Sequence, residues 1–186
     1  MEYPWYCEIS EPTTDITQGD ILYSCPVVHL ADGTENQATP GESKKVLITN
    51  IDGIIMTQAC DIANNKVADL TICPVTPWSE YAASMEAHGK SSKEVNQLKE
   101  NIIRGRVAAL HMLNKYDGAQ TGLLSGLAVV NFKEIYSLPM TTARCIAASI
   151  GPRMRLLPPY REHLSQAFAR FFMRVGLPED INPSEC

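Results

Sequence analysis

Two β-type runs enclose a tight polar cluster between residues 53 and 77, GIIMTQACDIANNKVADLTICPVTP. The first run, Ile54-Ile55-Met56-Thr57, leads into Gln58, Cys60 and Asp61. Asn64-Asn65 then turns the chain, and a second run over 70–75 closes at Thr76-Pro77. Runs rich in β-branched residues and bounded by Asn, Gly and Pro read as strands. Apolar strands that end in polar groups present a site at the rim of a sheet or barrel. The segment therefore predicts an antiparallel pair with Thr57, Gln58, Cys60 and Asp61 at one end of it.

The same punctuation recurs along the chain. Gly19-Asp20 opens a strand over 21–28, after an irregular lead-in over 1–19. Residues 31–43 read as a polar loop, and a short strand is expected over 44–49. Asp52-Gly53 between apolar runs predicts a tight hairpin turn into a strand over 53–59. Further strands are expected over 107–113, with His111 inside, over 127–136, the longest run, and over 149–157.

Two stretches carry helical spacing instead. In the first, Ser79 is placed to cap a helix over 80–88, and Gly89 breaks it. Ser91 and Glu94 then form a capping-box pattern, followed by Val95, Leu98 and Ile102 on one face. In the second, Pro158-Pro159 precedes a helix over 160–175 with Leu164, Phe168 and Phe171 at helical intervals, read as core. The predicted fold is one mostly β domain over 1–186, a small β-barrel with a helical insertion over 78–106. A closing C-terminal helix lies within 158–178. At ~1.5 Å per residue the insertion is long enough to fold back over the Cys60 cluster as a lid.

Hydrophobic residues make up 45% of the 186, enough for a sizeable core. A net charge of -5 argues against a general polyanion binder. No basic-then-apolar leader opens the sequence, and no apolar run approaches the roughly 20 residues of a membrane span. A cytoplasmic protein without membrane contact is expected. Six cysteines without a C-x-x-C pair read as reduced thiols. The spacing of Cys60, Cys73 and His111 matches no zinc pattern, and neither a glycine-rich phosphate loop nor HExxH is present. No metal and no cofactor are expected.

The sharpest chemical reading makes Cys60 a nucleophile, His111 its base, and Asp61 or Asn64 the group that orients the base. Against it, a free cysteine at a strand end is often a small buried residue, and Asp commonly accepts hydrogen bonds from the next turn. Thr57 and Gln58 alternate along a strand, so one points inward and one outward. Arg104, Arg106, Arg144, Arg153 and Arg155 read either as a phosphate-binding face or as a scattered solvated set.

The order of these segments resembles the MazF/PemK toxin family. Gly19-Asp20-Ile21 resembles its opening strand, residues 54–64 its central strand and following loop, and residues 71–76 the next strand. Gly122-Leu123-Leu124 with residues 129–135, and Ile150-Gly151 before the final helix, resemble its later segments. The TQACDI stretch is also similar to bacterial proteins that carry a TQxCDI signature. The resemblance implies an SH3-like barrel and places Thr76 at the family's catalytic threonine. Where the family opens its central strand with Arg-Pro, this chain has Ile51-Asp52-Gly53 and no arginine. A missing cation at a phosphate that gains charge costs on the order of 10²–10³ in rate. The resemblance therefore implies a bacterial binding module at a toxin–antitoxin or phage-defence locus. Thr57, Gln58, Asn64, Arg104 and Arg106 would be its binding residues, and a protein partner, a second copy or RNA its ligand. The alternatives are an endoribonuclease that uses Thr76 with Arg104 or Arg106, and a Cys60/His111 hydrolase.

Overall fold

In the computed structural model, residues 3–30, 46–118 and 122–173 are described. The polar stretch 31–43, the chain beyond Met173 and Cys186 lie outside them. The strands are β1 (Tyr6–Ile9), β2 (Ile21–Leu30), β3 (Val46–Ile55), β4 (Asp69–Pro77), β5 (Leu110–Leu113), β6 (Ala128–Asn131), β7 (Tyr136–Pro139) and β8 (Arg153–Leu156). The helices are α1 (Ala59–Ala63), α2 (Trp78–Ala87), α3 (Ser92–Ile103), α4 (Met140–Ser149) and α5 (Tyr160–Phe172). The class is mixed α/β with antiparallel pairing throughout these strands.

β4 organises the larger sheet, whose order is β2-β3-β4-β6-β5. β3 pairs with β4 through Ile54 opposite Cys73. β7 takes the first half of β4 and β6 the second, with Leu70 opposite Leu138 and Thr76 opposite Val129. β1 and β8 form a separate ribbon, tied to the start of β2 by a bridge between Asp20 and Arg155.

The expected closed barrel is not formed among the described residues. β2 and β5, the two ends of the strand path, do not pair. The ribbon and α5 supply core side chains instead. Tyr6, Met154, Leu156 and Leu164 pack in one cluster with Ile21, Ile54, Val75, Leu113, Val130 and Phe132. On α5 only Leu164 is fully buried; Phe168 and Phe171 are half-buried against Phe132, so the aromatic stripe is a core margin.

Four features differ from the sequence reading. The hairpin turn at Asp52-Gly53 does not exist, because β3 runs straight through it. Asp52 Oδ1 accepts from Ser24 N at 2.9 Å, where β2 carries a register shift between Leu22 and Cys25. Sheet pairing thus holds the Asp-Gly pair extended. The long run over 127–136 divides into β6 and β7. Asn131 does this, since its Oδ1 accepts from Lys133 N at 3.1 Å and its Nδ2 donates to Glu134 at 2.7 Å. Residues 59–63, expected at a strand end, form α1, and the lead-in contributes β1.

The insertion matches its signals more closely, except that α2 starts at Trp78 with Pro77 as its N-cap residue, so Ser79 does not cap it. Ser91 accepts from Glu94 N at 3.3 Å, and Glu94 accepts from Ser91 N at 2.9 Å, completing the capping box that starts α3. Ile102 packs with Leu110, Met112 and Val129, and Trp78, Tyr81 and Leu98 lean on the same cluster. These contacts seat α2 and α3 on β5 and β6. A third cluster, with Ile62, Leu70, Ile72, Leu138, Met140 and Ala143, lies under α1 and α4. No helix among the described residues is long and apolar enough to cross a membrane.

Candidate functional site

The cluster between the two central strands serves the turn that it sits in. Thr57 Oγ1 accepts from Thr71 N at 2.7 Å, extending the β3–β4 ladder by a side chain. Gln58 is the N-cap residue of α1, is exposed, and makes no side-chain cap bond. Asn64 Nδ2 donates to Cys60 O at 2.7 Å and closes the helix end. Asp61 lies 4.0 Å from Lys66 Nζ and 3.8 Å from the Cys60 sulfur. Asn65 follows with a φ of 48°, and its Oδ1 accepts from Arg144 at 2.9 Å.

Cys60 is exposed. The lid reading fails on this point, because the insertion packs on β5 and β6 and leaves the thiol open. The Cys60/His111 dyad is not assembled either. His111 lies on β5 opposite Val130, whose other neighbour is Val75, near the far end of β4 from α1. Its ring stacks 6.3 Å from Phe132, and no hydrogen bond joins it to Cys60. Cys73 sits in the core, where burial pushes its thiol up to about 12. Among the described residues no three His, Cys, Asp or Glu side chains gather as a metal site.

Thr76 lines an open groove of about 660 Å³ with Asn50, Ser79 and Ser125. Asp52, Glu80 and Glu134 border the same groove, and no arginine, lysine or histidine among the described residues does. Three carboxylates repel a phosphodiester. The arginines expected to replace the missing cation lie elsewhere: Arg104 caps α3, and Arg106 is exposed on the turn after it. Arg153 and Arg155 turn toward Asp20 and Asp15, and Arg144 toward Asn65, so the five arginines form no common face.

A second groove, of about 370 Å³, opens between the end of α3, β5 and α5. Its polar groups are Arg104 from α3, His111 from β5, and His163, Gln166 and Arg170 from α5. Ile102, Val107, Leu110 and Met112 supply its apolar wall. Trp5 and Tyr160 line it as well, stacked at 3.8 Å with their planes 10° apart. The stack is held from the backbone, since Leu157 N donates to Trp5 O at 2.8 Å. Among the described residues no Asp or Glu lines this groove, although the chain is acidic overall. Glu100 lies one turn back on α3 and holds Arg104 at 3.4 Å in an exposed pair. Burial, with a smaller push from His163, lowers His111 to about 4, so its ring is neutral at pH 7.

Of the expected site residues, this groove gathers His111 and Arg104 only. The sequence reading missed Trp5, Tyr160, His163, Gln166 and Arg170 as site residues; His163 is solvent-exposed and also lines the groove. A signal was present on α5. Positions 163, 166, 167 and 170 repeat at i, i+3, i+4 and i+7, a second face beside the aromatic stripe.

No protein-family model matches this chain, and no curated protein matches it in sequence.

Proposed function

We propose that this chain is a binding module that takes an anionic ligand in the groove between α3, β5 and α5. The observation that carries the reading is the charge of that groove. Arg104 from α3 and Arg170 from α5 line it with His111 and His163, and no carboxylate lines it among the described residues, in a chain of net charge -5. Scattered charges in an acidic protein do not sort this way by necessity. A volume of about 370 Å³ lies in the range of roughly 300–1,000 Å³ typical of small-molecule sites.

The catalytic alternatives have less support. Cys60 has a carboxylate beside it and not His111, the expected base, and Thr76 sits among carboxylates. The toxin–antitoxin or phage-defence setting, in a bacterial cytoplasm, rests on the MazF/PemK resemblance, as does an SH3-like ancestry for the sheet.

Calorimetric titration with inorganic pyrophosphate tests the reading. Wild-type protein should bind it, and Arg104→Ala/Arg170→Ala should weaken binding at least about tenfold, since hydrogen bonds to charged groups contribute about 1.5–3 kcal/mol. Equal binding by both proteins, or none by wild type, would remove the groove as the site.

A further inference from the structure

We infer that the ligand of this groove is a nucleoside monophosphate, with its base on the Trp5–Tyr160 stack and its phosphate toward Arg104 and Arg170. The inference rests on the anion-binding reading above and adds the ligand's second half. Two observations beyond the charge of the groove support it. First, the groove combines cations with a flat aromatic platform, two rings 3.8 Å apart and nearly parallel. Such a pair is already ordered before a ligand arrives, so a third ring extends the stack with little further loss of freedom. Second, the platform and the cations line one cavity whose size suits a mononucleotide and not a folded partner. His111 and Gln166 lie on the same lining and add neutral N–H donors for sugar or phosphate oxygens.

The chain has two tryptophans, Trp5 and Trp78, so Trp78→Phe leaves Trp5 as the single reporter in the groove. In that protein AMP should quench Trp5 emission and bind about tenfold tighter than inorganic phosphate, the gain one stacked base contributes. Calorimetry on Tyr160→Leu should show that gain lost and phosphate binding kept, with the far-ultraviolet circular dichroism of wild type. If AMP binds no tighter than phosphate while Arg170→Ala still weakens phosphate, the nucleotide assignment is overturned and the anion groove stands. If AMP binds tightly but Trp5 emission and Tyr160→Leu are silent, the base is not on the stack and the assignment is again overturned. If neither AMP nor phosphate binds, both readings fall together.

Discussion

Arg153 and Asp20 meet in the interior: Nε lies 3.4 Å from Oδ2, with side-chain exposures of 1% and 0%. Asp20 also accepts from Arg155 Nε at 2.5 Å and Nη2 at 3.0 Å, and from Thr17 N at 3.3 Å. Arg153 donates further to the carbonyls of Ala147 and Asp15. The network joins β8 to the start of β2 and fixes the ribbon against the larger sheet. Removing the shared carboxylate leaves a buried guanidinium unpaired, which costs on the order of 3–5 kcal/mol. Asp20→Ala should lower stability to chemical denaturation by that amount. Arg153→Met should cost less, because Asp20 keeps Arg155. Equal and small losses of about 0.5 kcal/mol, the size of surface substitutions, would deny the network its structural role.

His111 makes stability fall as the solution turns acidic. Its folded value is about 4, below the ordinary 6.5, because burial and the nearby His163 oppose its charge. Between those values the unfolded chain binds a proton that the folded chain resists. Stability from this residue is therefore full above pH 6.5 and is lost as pH falls toward 4. His111→Leu should flatten the stability profile in that window. A mutant profile parallel to wild type from pH 6.5 to 4 would place the acid sensitivity elsewhere.

The thiols separate by exposure. Cys7, Cys60 and Cys145 are exposed, and Cys25 and Cys73 are buried, where desolvation pushes each thiol up to about 12. A bulky maleimide at pH 7 should label Cys60 about as fast as Cys7, and Cys25 and Cys73 only after unfolding. Slow labelling of Cys60 in the native protein would restore a cover over the central turn.

Thr76 should cleave no RNA. The groove around it carries Asp52, Glu80 and Glu134, and a phosphodiester there meets three negative charges. Purified protein incubated with a mixed single-stranded RNA pool should leave it intact. Cleavage that disappears in Thr76→Ala would overturn this and revive the ribonuclease.

Local signals marked the elements whose causes are local. The Ser91–Glu94 box started α3 where its spacing indicated, and the apolar runs at 21–28 and 70–75 became β2 and β4. Asp52-Gly53 misled because a distant donor, Ser24 N, holds Asp52 in a continuous strand. α4 went unseen because its buried face is Met140, Ala143 and Ala147, whose small side chains carry little apolar signal. The groove was illegible for a different reason. Trp5, Arg104, His111 and Arg170 come from segments far apart in sequence, and only the β1–β8 ribbon and α5 bring them together. The Cys60 stretch was conspicuous because its residues are adjacent, and adjacency there serves a five-residue helix.

The four histidines offer the most direct measurement of the central claim. His111 and His163 line the groove; His29 bonds Thr49 and packs on Tyr136, and His88 Nδ1 donates to Ser84 O at the end of α2. Ring resonances recorded by NMR during a pyrophosphate titration therefore report on the site and on a control at once. His111 and His163 should shift saturably together while His29 and His88 stay fixed. Shifts at His29 or His88 alone, or none at the groove pair, would contradict an anion site between α3, β5 and α5.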